Sequence, residues 1–384
     1  MKFVIAPDSF KGTIDSAEIC DIVEQSIHKS MPAATVIKMP IADGGEGMVD
    51  AYLKSSGGQK VDVKVTGPNA TREHAFYGIL PDKKTAVIEM AAASGIMLAS
   101  EPKQPMDATT YGTGQLIMDA VEKGCGKIVL GIGGSATMDG GVGMAGAMGV
   151  LFLDEDGREL PLTPNGLRRL HTIDTTRVSE SLRGVKFLIA SDVQNVLCGE
   201  MGAAHVFGRQ KGADEAQIVE ADGILKRLAG VIRDQTGDDL SQIKGTGAAG
   251  GLALPLLAFF DAKIVSGIDL MLDTVGFEQK IKDADMVITG EGMLDGQSME
   301  GKVVIGIARR AKACGVPVVA LVGDIGRHYE RAYEQGVSAI FSTNKAAVPF
   351  EIARLTSRED LALLADSLFA FAAALGNGGT KGSA

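Results

Sequence analysis

The sequence of 384 residues contains no tryptophan, and aromatic residues make up only 5% of it. Proteins that bind single-stranded nucleic acids by base stacking depend on aromatic side chains, so this scarcity argues against that function. A basic excess is also lacking, since 38 Lys and Arg stand against 48 Asp and Glu, for a net charge of −10. A chain this acidic lacks the positive charge that nucleic-acid backbones and anionic membranes attract, and we expect neither partner.

Long hydrophobic runs and clustered cysteines are lacking as well. The longest apolar stretch, residues 250–260, contains Pro255 and falls short of the ~18 residues of a membrane-spanning helix. The apolar start at residues 3–6 is too short for a signal peptide. The four cysteines lie far apart and away from the histidines, which predicts neither a zinc site nor disulfide bonds. We therefore expect a cytoplasmic protein with reduced, buried thiols.

Glycine is the residue in excess. It occupies 50 of 384 positions, about 13% against a usual share of ~7%. The glycines follow no G-X-Y period and lie among apolar segments, which excludes collagen and a disordered glycine-rich chain. Many follow predicted strands and stand beside Asp, Glu or Lys, where they allow backbone N–H groups to approach an anion closely.

Strands and helices alternate at both ends of the chain, a pattern typical of a parallel sheet. The predicted strands of these two blocks are 2–6, 35–39, 285–289, 317–322 and 338–342, and the main helices are 16–30, 47–55, 302–314 and 358–375. The middle instead begins with segments that alternate like antiparallel strands, at 59–65, 73–80 and 85–90. We predict an α/β protein in which residues 1–64 and 282–384 form one doubly wound domain and residues 65–281 form an inserted α/β domain.

Acidic, glycine-rich loops follow most strands of the terminal blocks. In a doubly wound sheet, ligands bind beyond the carboxyl ends of the strands. These loops contain Asp8, Ser9, Lys11 and Gly12 after the first strand, the run Asp-Gly-Gly-Glu-Gly at 43–47 after the second, and Gly290, Glu291, Gly292 and Asp295 after the third. A lone acid in such a loop is ordinary turn chemistry, but several at successive strand ends suit a hard cation such as Mg²⁺.

Two glycine patterns resemble nucleotide-binding motifs without matching them fully. Residues 131–136 fit G-x-G-x-x-A, and Asp154 closes the next strand, as in a dinucleotide-binding fingerprint. Four glycines within 138–146 weaken the helix that this motif requires. Residues 296–303 nearly match a P-loop, but Val303 stands where a Ser or Thr would hold Mg²⁺. A NAD-dependent 2-hydroxyacid dehydrogenase therefore stays open as an alternative function.

Charged side chains also follow strands and open helices elsewhere. Asp192 follows the strand predicted at 185–190 and suits the orientation or deprotonation of a hydroxyl. Arg209 and Lys211 lie in a glycine-flanked turn, which suits a carboxylate or a phosphate. Lys302 opens a predicted helix, where exposed N–H groups favour an anion. Together these features favour a small polyanionic ligand, Mg²⁺ and phosphoryl transfer, in which positioning does most of the catalysis.

Several of these loops, taken in order, resemble the bacterial glycerate kinase type I family. The resemblance rests on residues 6–13, 40–47, 133–141, 191–193 and 289–297, and it runs from residue 1 to about 375. It implies ATP- and Mg²⁺-dependent phosphorylation of D-glycerate in glyoxylate, glucarate and galactarate catabolism, with 2-phosphoglycerate favoured over 3-phosphoglycerate. It also implies a flavodoxin-like doubly wound parallel sheet, interrupted by an inserted α/β domain with a mixed sheet, and an active site in the interdomain cleft.

We assign roles within this framework from the chemistry of each residue, and we leave open a homodimer and the domain that binds adenine. The candidates are Asp192, with Asp295 as its rival, for the acceptor hydroxyl; Asp8, Asp43 and Glu291 for Mg²⁺; Lys11 and Lys302 for phosphate charge; Ser9, Gly290, Gly292 and the N–H groups of Gly133, Gly134, Ser135 and Thr137 for phosphate or carboxylate; and Arg209 or Lys211 for the glycerate carboxylate.

Overall fold

The computed structural model describes residues 1–42, 44–45, 47–296, 298–300, 302–346 and 348–378. The strands, numbered in chain order, are β1 (Lys2–Ile5), β2 (Thr35–Lys38), β3 (Gln59–Thr66), β4 (Arg72–Ile79), β5 (Thr85–Glu89), β6 (Lys127–Gly131), β7 (Leu151–Leu153), β8 (Thr172–Asp174), β9 (Lys186–Ala190), β10 (Lys263–Val265), β11 (Met286–Thr289), β12 (Met293–Leu294), β13 (Val318–Val322), β14 (Asp324–Ile325) and β15 (Val337–Ser342). The α-helices are α1 (Ser16–Ser30), α2 (Met48–Ser56), α3 (Ala91–Ser94), α4 (Tyr111–Glu122), α5 (Val142–Ala147), α6 (Ala203–Phe207), α7 (Glu215–Thr236), α8 (Ala253–Phe259), α9 (Gly267–Val275), α10 (Phe277–Ile281), α11 (Val303–Ala313), α12 (Arg331–Glu334), α13 (Phe350–Ala353) and α14 (Ser357–Gly378).

Contacts divide the chain into two units. The first unit consists of Met1–Asp43, Lys54–Ser56 and Ile268–Ala384, and the second consists of Gly44–Leu53 and Gly57–Gly267. Strand β3 pairs with β4 over its whole length, so the domain limit predicted between residues 64 and 65 falls inside a strand of the second sheet. Most of the glycine-rich 43–47 motif and most of α2 likewise belong to the second unit.

The sheet of the first unit has five parallel strands in the order β2-β1-β11-β13-β15. Numbered along the chain, this is the order 2-1-3-4-5 of a flavodoxin-like sheet. Phe3 and Ile5 of β1 pack in a core with α1 and α14. The rings of Phe3 and Phe369 meet edge-on there, with 5.5 Å between their centroids. Helix α11 contacts β11 and β13 through residues outside that core. Helices therefore cover both faces, as predicted.

Helix α1 shows how the sequence specifies this packing. Asp15 is its N-cap and accepts the N–H of Glu18 at 2.9 Å, which satisfies one of the donors that a helix start leaves open. Ile19, Val23 and Ile27 recur every four residues and are buried against the sheet. Burial of each such side chain contributes about 2 kcal/mol.

The sheet of the second unit has six strands in the order β3-β4-β5-β6-β9-β10. Strands β5, β6, β9 and β10 run parallel, whereas β4 is antiparallel to both β3 and β5. Strands β7 and β8 form a separate antiparallel pair. All five residues of β5 are buried, which is typical of a strand that lies inside a sheet covered on both faces. The predicted mixed sheet is confirmed.

All four cysteines are free thiols. Cys20 and Cys125 are buried as expected, but Cys198 is half-buried and Cys314 is exposed. The expectation of four buried thiols is therefore wrong for these two, because Cys314 caps the exposed end of α11 and Cys198 lies in a loop. None of the helices within the described ranges is long and apolar enough to span a membrane.

Candidate active site

The first sheet reverses its strand order between β1 and β11, and the loops that follow these strands lie side by side. Ligands of open α/β sheets bind at such a reversal, beyond the carboxyl ends of the strands. The Asp8 N–H donates to the Gly290 carbonyl at 2.8 Å, which joins the two loops at their starts. Asp8 is buried, and its Oδ1 accepts the N–H of Ser9 at 2.7 Å. The structure thus places Asp8, Ser9 and Gly290 next to one another, and all three were predicted from the sequence as residues of one site.

Glycines allow three loops to pack closely at this edge. A Cβ on Gly290 would lie 2.1 Å from the Leu321 carbonyl oxygen, so no other residue fits there without moving the backbone. A Cβ on Gly323 would lie 2.4 Å from the Gly292 carbonyl oxygen. The Gly323 N–H also donates to the carbonyl of Glu291 at 3.1 Å. The backbone of Glu291 is therefore fixed next to the loop that follows β13.

Glu291 is a buried carboxylate without full compensation of its charge. The residue is 6% exposed, and its Oε1 has no hydrogen-bond partner in the described part of the chain. Burial raises the pKa of Glu291 to about 7, the charges of Asp8 and Asp295 raise it further, and the Ser298 hydroxyl and Lys302 oppose the rise. A bound divalent cation would supply the positive charge that this oxygen lacks.

Two more predicted residues, Asp295 and Lys302, lie between β12 and the start of α11. Lys302 is half-buried and is the N-cap of α11. The Asp295 N–H donates to Ser298 Oγ at 3.2 Å, and Asp295 Oδ1 accepts the Ser298 N–H at 3.3 Å. A P-loop does not form here, because β12 and a 3₁₀ turn lie between the sheet strand β11 and α11. Lys11 is exposed in the loop after β1.

The donor set of the first unit suits Mg²⁺ only together with ligands from a substrate. No three His, Cys, Asp or Glu residues are grouped closely enough to hold a metal among the residues that the structure describes. Mg²⁺ commonly takes one or two carboxylates from the protein and its other ligands from phosphates and water. The unpartnered Oε1 of Glu291 and the buried Asp8 fit that role. Asp43, the third predicted ligand, lies outside the described residues.

The second sheet has its own edge of carboxyl ends. Glu89 ends β5, residues 133–137 follow β6, and Asp192 follows β9. Because β6 pairs in parallel with both β5 and β9, these three positions lie on one edge of the sheet. Asp192 is half-buried, and its Oδ1 accepts the Gly267 N–H at 3.2 Å. Asp192 and residues 133–137, which were predicted from separate motifs, therefore follow neighbouring strands.

We call residues 133–137 the glycine loop; its members are Gly133, Gly134, Ser135, Ala136 and Thr137. The Gly133 N–H donates to the Gly44 carbonyl at 3.3 Å, and the Ala136 N–H donates to the Ser94 carbonyl at 3.0 Å. Because these two N–H groups already donate to carbonyl groups of the second unit, the predicted donors to an anion are reduced to the N–H groups of Gly134, Ser135 and Thr137. The Thr137 hydroxyl is buried and has no hydrogen-bond partner among the residues described here.

Arg209 and Lys211 are close in sequence but have opposite surroundings. The Arg209 side chain is 75% exposed and pairs with Glu215 at 2.6 Å. Lys211 is 3% exposed, and its Nζ donates to Ser135 Oγ and to the Thr137 carbonyl, both at 2.6 Å. Burial lowers the pKa of Lys211 to about 7. Of these two predicted cations, Lys211 is the one that contacts the glycine loop.

Glu89 belongs to this edge but was not predicted from the sequence. It is buried, and its carboxylate accepts the N–H groups of Gly47 at 3.2 Å and Val49 at 2.6 Å, at the start of α2. Gly44, which belongs to the 43–47 motif before α2, lies over the end of β9. A Cβ on Gly44 would come within 2.9 Å of the Ala190 carbonyl oxygen. Glu89 therefore holds the start of α2 against the second sheet. The available signal was an acid that ends an otherwise apolar strand.

The dinucleotide-binding alternative fails on geometry. Asp154 follows β7, which pairs with β8 and lies outside the sheet that contains β6. Its carboxylate accepts the N–H groups of Asp156 and Arg158 in a tight turn. Helix α5, the first helix after the glycine loop, has only 6 residues. The described residues that follow β6 thus lack both the long helix and the ribose-binding acid of that fingerprint.

Comparisons with known proteins agree on one family. A family model described as the glycerate kinase family matches residues 3–373. The glycerate kinase of Halalkalibacterium halodurans is 46% identical over 340 residues, which cover 88% of this chain and 90% of that protein. The glycerate 2-kinase of Escherichia coli K12 is 41% identical over 343 residues, which cover 89% of this chain and 90% of that protein.

A solved structure gives the same result at the level of the fold. The crystal structure assigned to glycerate kinase 2 of Salmonella typhimurium LT2 matches with a TM-score of 0.87 at 39% identity, and the match covers 98% of this chain and 99% of that one. These findings confirm the resemblance that the sequence motifs indicate, and they give no support to a dehydrogenase. The chain therefore belongs to the glycerate kinase family and is an enzyme of that family.

Proposed function

We propose that the protein transfers the γ-phosphoryl group of ATP to D-glycerate with the help of Mg²⁺ and forms 2-phosphoglycerate. Membership of the glycerate kinase family is the observation that carries the substrate and the reaction. The Escherichia coli relative is named a glycerate 2-kinase, which supports the 2-hydroxyl as the acceptor. The buried, unpartnered Oε1 of Glu291 supports the metal, because it lies at the strand-order reversal where a flavodoxin-like sheet binds ligands.

The first unit supplies the groups that suit ATP and the metal. Asp8 and Glu291, together with Asp43, would hold Mg²⁺, which when bound offsets negative charge on the phosphate oxygens. Lys302 lies at the start of an 11-residue helix, where N–H groups already favour an anion, and its ammonium adds to that preference. Lys11, exposed in the loop after β1, is the second candidate for phosphate charge.

The second unit supplies the groups that suit glycerate. The carboxylate of Asp192 is the candidate that orients the 2-hydroxyl and accepts its proton during transfer, and Asp295 of the first unit is its rival. The glycine loop suits the carboxylate of glycerate, since Lys211 adds a positive charge next to Ser135. Phosphoryl transfer asks for little covalent chemistry from the protein, so the positions of these groups account for most of the catalysis.

An assay of ADP release tests this proposal. We expect release that requires both D-glycerate and Mg²⁺ and that stops on addition of EDTA. Coupling the product to enolase without phosphoglycerate mutase tests the acceptor hydroxyl, because only 2-phosphoglycerate is an enolase substrate. Turnover that strictly needs the mutase would overturn the choice of hydroxyl. Absence of glycerate-dependent ADP release would overturn the function itself.

We also propose a cytoplasmic location and a role in glyoxylate and glucarate catabolism, on the basis of the family resemblance. Loss of the gene should then impair growth on glucarate as the carbon source, and growth should return when the wild-type chain is supplied. Unimpaired growth of the deletion strain, in the absence of a second glycerate kinase, would contradict the proposed pathway.

A further inference from the structure

Lys211 is a buried cation of the second unit that contacts the glycine loop rather than solvent. It is 3% exposed, and both acceptors of its Nζ, Ser135 Oγ and the Thr137 carbonyl, are neutral. In the part of the chain that the structure describes, no Asp or Glu oxygen forms an ion pair with Lys211 within 4.0 Å. A buried ammonium without an ion pair is costly, by several kcal/mol, so its presence calls for a local role.

The acid whose charge acts on Lys211 is Asp139, and its oxygens are already used elsewhere. Asp139 is fully buried and accepts four hydrogen bonds: the N–H of Thr110 at 2.8 Å, the Thr110 hydroxyl at 2.7 Å, and the N–H groups of Gly141 at 3.1 Å and Gly143 at 3.2 Å. Burial lowers the pKa of Lys211, and the charge of Asp139 opposes that shift without removing it. Asp139 therefore fixes the backbone after the glycine loop and leaves Lys211 short of negative charge.

A second segment, residues 94–96, also holds the glycine loop. The Ile96 N–H donates to the Gly134 carbonyl at 2.9 Å, and the Ala136 N–H donates to the Ser94 carbonyl at 3.0 Å. Lys211 binds Ser135 and Thr137, two of the three loop residues that this segment does not hold, and the third, Gly133, donates its N–H to the Gly44 carbonyl. The conformation of the loop thus depends on residues 94–96, on Gly44 and on Lys211, and Lys211 is the attachment that carries a charge.

We propose that Lys211 is the positioning residue of the glycine loop, and that the loop binds an anionic group of a substrate whose charge Lys211 balances. Lys211 acts through Ser135 and Thr137, to which its ammonium donates two hydrogen bonds. The loop follows β6 at the carboxyl end of a parallel strand, where ligands of such sheets bind. The inference rests on the proposed function, because the anion is either the carboxylate of glycerate or a phosphate of ATP.

This arrangement couples ligand binding to a proton. Burial lowers the pKa of Lys211 to about 7, so at pH 8 most of this side chain is neutral in the free enzyme. A bound anion favours the ammonium form and raises that pKa. Binding at pH 8 then draws up to about one proton from solution, and affinity for the anion falls as pH rises through ~7.

Calorimetric titration in buffers of different ionisation enthalpy measures this proton directly. D-glycerate and ATP are titrated separately at pH 8 into the wild type and into Lys211→Arg, whose guanidinium keeps its charge at this pH. We expect proton uptake by the wild type that exceeds that of Lys211→Arg with one of the two ligands, which identifies the bound anion. The subtraction cancels proton release from the ligand itself. Lys211→Met should raise the KM of the same ligand about tenfold or more.

Equal proton uptake by the wild type and Lys211→Arg with both ligands would overturn the inference. So would a Lys211→Met enzyme whose KM values and pH profile match those of the wild type. If Lys211→Met does not fold, the comparison with Lys211→Arg decides by itself. The ADP-release assay separates the two levels: a wild type that phosphorylates glycerate without Lys211-linked proton uptake contradicts this inference alone, whereas a wild type that does not phosphorylate glycerate contradicts the proposed function.

Discussion

Each sheet edge carries one buried charge that the protein compensates poorly, and these two charges have opposite signs. At the first edge, burial raises the pKa of the Glu291 carboxyl to about 7. At the second edge, burial lowers the pKa of the Lys211 ammonium to about 7. Each edge therefore holds one group that is poorly compensated by the protein itself. Because the poorly compensated charge is negative at the first edge and positive at the second, the first edge suits a cation and the second an anion.

Glycine allows loops to pack closely at both edges, as Gly44 does at the second edge. Gly290 and Gly323 allow loops of the first unit to pack so closely that a Cβ would overlap a carbonyl oxygen. Gly134 instead lies in the left-handed region, with φ of 76°, where glycine is favoured, and its Cβ position is 3.4 Å from the nearest side chain. The glycine excess of the sequence thus reflects both the close packing of loops and, at positions such as Gly134, a left-handed backbone conformation.

The largest effect should come from the change that removes the proposed proton acceptor of the second edge. Asp192→Asn keeps the size of the side chain but cannot accept the proton, so we expect kcat to fall about 10²-fold or more. The matched variant Asp295→Asn changes the rival acid of the first edge. A nearly unchanged kcat in Asp192→Asn, together with a large loss in Asp295→Asn, would move proton transfer to the first edge.

Glu291→Gln should separate stability from metal use at the first edge. An acid whose pKa is raised on folding retains its proton in the folded state at pH values where the unfolded chain has lost it. Wild-type stability is therefore lost as pH rises from the ordinary 4.5 to about 7, and the glutamine variant does not share this loss. The stability of Glu291→Gln relative to the wild type should rise by about 3 kcal/mol across that range.

Denaturant unfolding without metal at pH 5 and pH 8 measures this difference. In the activity assay, the same variant should need at least about tenfold more Mg²⁺ for half-maximal rate, because it lacks one carboxylate. A stability relative to the wild type that does not rise between pH 5 and pH 8 would contradict the raised pKa of Glu291. An unchanged Mg²⁺ requirement would contradict the assignment of a cation to this edge.

Glu89→Ala should loosen the start of α2 at the second edge. Two backbone N–H groups, those of Gly47 and Val49, would lose their acceptor, at a cost of about 1–2 kcal/mol. Glu89→Gln keeps one carbonyl acceptor and should cost less. Thermal unfolding of the two variants measures the order. Equal stability of Glu89→Ala and the wild type would show that this contact does not hold the start of α2.

Arg209→Ala should have the smallest effect and serves as the surface control for Lys211. Its exposed ion pair with Glu215 contributes less than about 0.5 kcal/mol, and among the described residues its side chain forms no hydrogen bond with the glycine loop. We expect KM values within about twofold of the wild type and an unchanged denaturation midpoint. A large rise in the KM for glycerate would restore Arg209 as the residue that binds the carboxylate.

The long, strongly periodic elements were predictable from the sequence. Helix α1 was predicted at 16–30 and is found at Ser16–Ser30. The five predicted strands of the first sheet each begin and end within one residue of the observed bounds. The two-residue strands β12 and β14 were not predicted, because hydrophobic alternation cannot be read over two positions. The membership of residues 44–53 in the second unit was also missed, since an amphipathic pattern does not tell which sheet a helix covers.

Candidate site residues could be named from the sequence where several polar residues share one loop. Asp8, Ser9, Gly290 and Glu291 were predicted in that way, and the structure places Asp8, Ser9 and Gly290 next to one another. The different surroundings of Arg209 and Lys211 could not be read from the sequence, because both are cations in the same glycine-flanked turn and tertiary packing alone buries one of them.

In the proposed function, the first edge binds ATP and the second edge binds glycerate. The apparent KM values of two variants test this division most directly. Lys302→Ala removes a cation of the first edge, and Ser135→Ala removes one of the two acceptors of Lys211 in the glycine loop. We predict that Lys302→Ala raises the KM for ATP about tenfold with little change for D-glycerate, and that Ser135→Ala does the reverse. A rise in the same KM for both variants would contradict this account.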